Sequence, residues 1–251
     1  MTLPPLSATH LNGRPRPQPR ILQFGGGNFL RGFMDWKIDR LNEASGSDWG
    51  VMILRSLGST DGSALNAQEG LYTVVSRGIG EDGAAQSHSR LVASVLGELS
   101  CDGDWDRVLG LARTPMIEVV VSNTTEAGIA YVAGQTATDS PPASFPAKLT
   151  RLLVERYHAL GHLPGMGWQV LPCELTENSG DRLRDLVLRH ADEWAVGAAC
   201  LDWIERETVF YNTLVDRIVT GHPGQQAAAE LETALGYRDP CLTTAELFHL
   251  L

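Results

Sequence analysis

The sequence predicts an α/β protein built on a Rossmann-like, doubly wound sheet, and three observations support that class. Short apolar, β-prone runs alternate with segments of helical periodicity. The first run passes through three glycines directly into a helical pattern, and no internal repeat competes with this reading. At 251 residues and 43% hydrophobic content, the chain is long enough to bury a sizeable core.

Residues 1–19 carry Pro4, Pro5, Pro15, Pro17 and Pro19. Proline fixes φ and removes a backbone donor, so this stretch reads as an irregular lead-in. Ile21 to Phe24 reads as a buried strand, after which Leu30, Phe33, Met34, Ile38 and Leu41 recur at helical spacing. "WGVMIL", Trp49 to Leu54, then closes a β-α-β unit and implies parallel pairing. "LYTVVSR" (Leu71 to Arg77) and "IEVVVSN" (Ile117 to Asn123) continue the strand series, with a helix expected around Trp105 to Arg113. The loop "GQTATDSPPASFP" precedes a helix whose Leu149, Leu152, Leu153, Tyr157 and Leu160 share a face. "WQVLPCE" reads as a strand, and Leu183, Leu186, Val187, Ala191 and Trp194 mark the helix after it. Trp203, Glu207, Phe210 and Leu214 predict one more helix, giving way to the short β-prone run "LVDRIV".

Charge and motifs narrow the function. Twenty basic against 30 acidic residues give a net charge of −10, which repels a phosphate backbone and argues against a nucleic-acid surface. Four cysteines form no CxxC pair, the N-terminus lacks a signal-peptide core, and no apolar run approaches the ~20 residues that span a bilayer. These features predict a cytoplasmic protein without a membrane partner. No G-x-S-x-G elbow or HExxH motif occurs. His158 and His162 have i, i+4 spacing, but Gly161 and Pro164 mark a helix end there, so no metal site is expected.

Ligands of open α/β sheets bind beyond the carboxyl ends of the strands, so candidate residues are sought there. Gly25 and Gly27 fill the first two positions of G-x-G-x-x-G, while Leu30 takes the third. The glycines permit close approach of a pyrophosphate, and the helix after them aims free amide donors at it. The cofactor-binding candidates are therefore Ile21, Leu22, Gln23, Phe24, Gly25, Gly26, Gly27, Asn28, Phe29, Leu30, Arg31 and Gly32. The second strand ends in Leu54, Arg55 and Ser56, without the acidic residue that often meets the ribose in NAD-binding folds. Arg55 suits either the extra phosphate of NADP or a structural partner, and local chemistry leaves the cofactor preference open. In "SNTTEAG", Asn123 and Thr124 suit a nicotinamide-side contact, or Asn123 and Glu126 a capping box. In "PCELTENSG", Glu174 and Glu177 read as substrate ligands or as polar loop groups.

Together "ILQFGGGNFLRGFMDWKIDRLNE", "GLYT", "SNTTEAGIAY", "FPAKLTRLL", "PCEL", "LVDRIVTG" and "TAELFHL" resemble the mannitol dehydrogenase family of polyol-specific long-chain dehydrogenases. The resemblance runs from about Arg20 to the end of the chain and is strongest to members acting on the keto-hexuronate tagaturonate. "VDRI", Val215 to Ile218, lies in the family signature. Gly26 departs from the acidic residue frequent in the glycine turn, and Ser179 stands where an N-G pair is common.

The resemblance implies NAD as cofactor and interconversion of tagaturonate and altronate in hexuronate catabolism. A fructuronate or mannitol-type oxidoreductase and a noncatalytic NAD-binding module are the alternatives. It also implies a C-terminal helical domain carrying a K-x-x-x-x-N-x-x-H motif. Lys37 and Lys148 do not match that motif, so the catalytic residues are expected beyond Leu251. Residues 20–240 are then the NAD-binding domain and 241–251 the start of a connection. The chain is expected to be a catalytically incomplete N-terminal portion, with a separately encoded catalytic half as a candidate partner. Asp216 and Arg217 are candidates for the substrate side or for a buried pair joining the sheet to the next domain.

Overall fold

A computed structural model describes residues 3–124 and 128–251. Six strands, β1 (Gln18–Phe24), β2 (Trp49–Arg55), β5 (Val95–Ser100), β6 (Val119–Ser122), β7 (Gln169–Pro172) and β8 (Val209–Phe210), form a wholly parallel sheet in the order β5-β2-β1-β6-β7-β8. A second sheet, in the order β4-β3-β10-β9, joins β3 (Tyr72–Ile79), β4 (Ala85–Val92), β9 (Val219–Gly221) and β10 (Thr243–Glu246). The helices are α1 (Asn28–Leu30), α2 (Trp36–Ser45), α3 (Ala64–Ala67), α4 (Trp105–Ala112), α5 (Phe145–Leu160), α6 (Ser179–Glu193), α7 (Ala198–Glu207) and α8 (Gln225–Leu235). A π turn, Arg31–Asp35, links α1 and α2 into one continuous helical run.

Alternation along the strands explains the two-sided core. Leu22 and Phe24 of β1, with Leu54 and Val120, face α4, α5, α6 and α7. Ile21, Ile53 and Val121 face the opposite way, onto Phe33, Trp36, Tyr72, Val74 and Ala245. Burying each such side chain contributes about 1.5–3 kcal/mol, which fixes the register because a one-residue slip exchanges the faces. Helices therefore cover one face, whereas the π-turned helix and the second sheet cover the other.

Three expectations are corrected. "LYTVVSR" supplies β3 of the second sheet, paired antiparallel with β4 and parallel with β10, rather than a strand of the main sheet. The helix carrying Trp203 ends at Glu207, and Phe210 instead pairs with Val170 in the main sheet. "LVDRIV" is mostly irregular and enters β9 only at Val219. The lead-in holds a 3-10 turn, Ala8–Leu11, and packs Leu6 and Leu11 with Leu71, Ala93 and Tyr237. Residues 241–251 contribute β10. Among the described residues no helix is long and apolar enough to cross a membrane.

Candidate functional site

The carboxyl ends of β1, β2 and β6 open onto a cleft of about 450 Å³. Gly25 and Gly26 form one wall, Arg55 and Ser56 a second, and Asn123 and Thr124 a third. The chain leaves β1 through Gly25 at φ +111°, a left-handed conformation suited to glycine. A Cβ there would stand 2.7 Å from the Asn123 carbonyl oxygen, so the turn passes against the end of β6 only because this side chain is absent. The Gly25 amide donates to the Leu54 carbonyl (3.2 Å) and the Asn123 amide to that of Phe24 (3.0 Å), locking the three strand ends together.

Gly27 caps the helix with φ −66° and ψ 165°, and a Cβ added to it would meet no atom within 4 Å. That open approach beside the free amides of the first helical turn suits an anionic group such as a pyrophosphate. Asn28 accepts from Arg31 Nη2 through Oδ1 (2.6 Å), while Arg31 Nη1 donates to the Cys241 carbonyl (2.8 Å) and the guanidinium lies over Tyr72. Of the other cofactor candidates, Ile21, Leu22, Phe24 and Leu30 are buried in the two cores. Phe29 stacks on Phe33, and Gly32 is buried against Val219, where a Cβ would lie 2.7 Å from Cγ1. These residues shape the turn from behind rather than line the cleft.

Gln23 is buried beneath the turn and donates through Nε2 to the Gly25 carbonyl (3.1 Å) and to Asp35 Oδ2 (3.3 Å). Asp35 sits in the π turn with no exposure, and burial pushes its carboxyl up to about 7. Tyr72 donates to the Arg31 carbonyl (2.8 Å) and stands 3.4 Å from Asp35 Oδ2. Sequence reasoning missed this network, although a glutamine within an apolar strand and an aspartate between Met34 and Trp36 were visible signals.

The third wall is held from behind by Glu174. Its carboxylate accepts from Ser122 Oγ (3.1 Å), the Thr124 amide (3.0 Å) and Thr124 Oγ1 (3.1 Å), while Glu174 is only 3% exposed. Asn123 Nδ2 donates to the Cys173 carbonyl (2.6 Å), adding a second tie between the ends of β6 and β7. Glu126 lies outside the described residues.

Asp216 and Arg217 do not form the buried pair that was one expectation. Asp216 is exposed and exchanges backbone hydrogen bonds with Leu250. Arg217 is buried, donates to the Gly32 and Glu246 carbonyls and to Ser76 Oγ, and stacks over Trp36 at 4.1 Å. It ties the second sheet to the π turn. Of the lysines, Lys148 Nζ donates to the carbonyl of Ala143, a residue of the cleft wall (2.7 Å), and Lys37 Nζ meets His249 Nδ1 (2.9 Å). The cleft thus has the features of a dinucleotide site, and among the described residues no lysine lies on its wall.

The profile of the mannitol dehydrogenase Rossmann domain matches residues 19–251. Over 231 residues the chain is 50% identical to an altronate oxidoreductase of Cronobacter sakazakii and 49% identical to those of Klebsiella pneumoniae and Escherichia coli. These alignments cover 92% of this chain and 48% of each relative, so the chain spans about half the length of the curated relatives it matches. A substrate-free D-sorbitol dehydrogenase superposes with a TM-score of 0.81 at 23% identity, covering 98% of this chain and 54% of that one. Pseudomonas fluorescens mannitol 2-dehydrogenase, in a ternary complex with NAD and D-mannitol, gives 0.80 at 21% identity, covering 97% and 53%. At these identities the structural likeness establishes the fold.

Proposed function

The chain belongs to the mannitol dehydrogenase family, and we propose that it is the NAD(H)-binding portion of a tagaturonate reductase, also called altronate oxidoreductase. The observation that carries this reading is the cleft at the carboxyl ends of β1, β2 and β6, walled by Gly25 and Gly26 and by Asn123 and Thr124, with the open Gly27 next in the chain. Gly25, Gly26 and Gly27 with the helix amides hold the pyrophosphate, and Asn123 and Thr124 flank the nicotinamide side. A bound NADH would supply the hydride that reduces the keto carbon of the hexuronate. The chain's own residues bind and orient the cofactor and exclude water from one side of it. Proton transfer to the forming alkoxide is assigned to groups other than Lys37 and Lys148, whose Nζ atoms meet His249 Nδ1 and the Ala143 carbonyl.

Gly27→Val is expected to weaken NADH binding about tenfold or more with little change in melting temperature. Its Cβ meets no protein atom within 4 Å, and its methyl groups enter the pyrophosphate approach. Fluorescence titration and thermal melting on the same samples check this, and unchanged affinity removes the turn from the cofactor site. Purified residues 1–251 are expected to show little or no NADH oxidation with tagaturonate, fructuronate or fructose. Turnover comparable to a full-length relative assayed alongside overturns the reading of the chain as a catalytically incomplete portion.

A further inference from the structure

The second strand ends without a carboxylate in the sequence, but the sheet supplies one in space. β5 lies beside β2, with Glu98 opposite Ile53 and Ser100 opposite Arg55. The Glu98 backbone is fixed on both sides by one side chain: its amide donates to Asn66 Oδ1 (2.8 Å), and its carbonyl accepts from Asn66 Nδ2 (3.0 Å). The carboxylate lies behind the cleft wall, with Oε2 3.5 Å from the position a Cβ on Gly26 would occupy. Oε1 meets Arg55 Nη1 at 3.4 Å, a long contact. Among the described residues no other side chain donates to this carboxylate, although Glu98 is only 8% exposed. Arg55 is 45% exposed and lines the cleft.

Resting on the cofactor reading above, we propose that Glu98 is a specificity-determining residue, supplying the carboxylate that reads the adenosine ribose hydroxyls and rejects a 2′-phosphate. A ribose diol offers two donors to a carboxylate acceptor, whereas a phosphate monoester brings negative charge and no donor to the same place. Arg55 alone would favour the phosphate, since a guanidinium matches it in charge and geometry. With Glu98 against it, Arg55 is turned toward a carboxylate already present, and the pair favours NADH over NADPH. The preference that the strand end leaves open is set by a residue on the neighbouring strand. Gly26 also has a role here, because a larger side chain at that position would cover Oε2.

The test is titration of the full chain with NADH and NADPH by fluorescence, for the wild type, Glu98→Gln, and Glu98→Gln combined with Arg55→Ala, each with its melting curve. The wild type is expected to bind NADH about tenfold or more tighter than NADPH, the value of one charge-assisted hydrogen bond. Glu98→Gln is expected to erase or invert that ratio, and removal of Arg55 to abolish the NADPH gain. Wild-type binding of NADPH as tight as NADH overturns the proposal without any variant, so poor folding of Glu98→Gln does not protect it. An unchanged ratio in a folded Glu98→Gln protein overturns it as well while leaving the cofactor site intact. Failure of the wild type to bind either dinucleotide overturns the underlying cofactor reading, and this proposal with it.

Discussion

Replacing Asp35 with asparagine is expected to stabilise the protein at pH 8 and to leave its stability almost unchanged below about pH 4. The carboxyl group is fully buried, and among the described residues its side-chain partners are Gln23 Nε2 (3.3 Å) and the Tyr72 hydroxyl (3.4 Å), which lies nearer the Arg31 carbonyl (2.8 Å). Arg31 and Tyr72 are the charged and titratable groups that bear on it from the π turn and β3, and Cys173 faces it from the end of β7. Burial dominates and raises the pKa from 3.8 to about 7. The folded state therefore retains a proton that the unfolded state has already lost. Stability is full below the unfolded value, falls as the pH rises past it, and reaches its lower plateau above about pH 7.

A rise from 3.8 to about 7 corresponds to about 4 kcal/mol, or roughly 8–16 °C at this chain length. Asparagine cannot ionise, so it removes that loss. Melting curves from pH 4 to pH 8 provide the measurement. A wild type whose stability does not fall over that range, or an Asn variant that follows the same curve, would refute the neutral-carboxyl reading. Because Gln23 also bonds the Gly25 carbonyl, the same variant should retain NADH binding.

The four strands at the centre of the parallel sheet were legible because β1, β2, β6 and β7 are short apolar runs, each followed by a turn or a helical pattern. The second sheet was not. "LYTVVSR" is as apolar as a central strand, and a buried run carries no mark of which sheet it joins. Its partner β4, "AQSHSRLV", is polar and has a single buried residue, so it shows little hydrophobic periodicity. The helix at Trp203 was extended too far because Phe210 and Leu214 continue the i, i+4 spacing. Val209 and Phe210 instead pair with β7, where β-strand hydrogen bonds override a weak helical pattern. The glycine turn was legible for a related reason: strand, glycines and helix are contiguous, so local sequence carries the whole motif. Glu98 was invisible because its approach to Arg55 and Gly26 exists only once β5 is laid beside β2.

Glu174 illustrates the same limit from the opposite direction and gives the second large expected effect. Its place after a strand suits a substrate ligand or a polar loop group, and its carboxylate accepts from Ser122 Oγ and from both the amide and hydroxyl of Thr124. Removing a buried acceptor leaves those donors unpaired, so Glu174→Ala should cost about 3 kcal/mol. It should also weaken NADH binding about tenfold, because the Thr124 wall loses its anchor. Glu174→Gln should restore most of both losses. An amide oxygen can still accept from Thr124, and the Ser122 hydroxyl can rotate to accept from the new NH2. A ligand that recognised the carboxylate's charge would distinguish these variants differently, since glutamine would then fail nearly as badly as alanine. Melting temperature and NADH affinity measured for both variants separate the two roles. Equal losses in Gln and Ala, or no loss in Ala, would show that Glu174 does not act by holding the wall of the cleft.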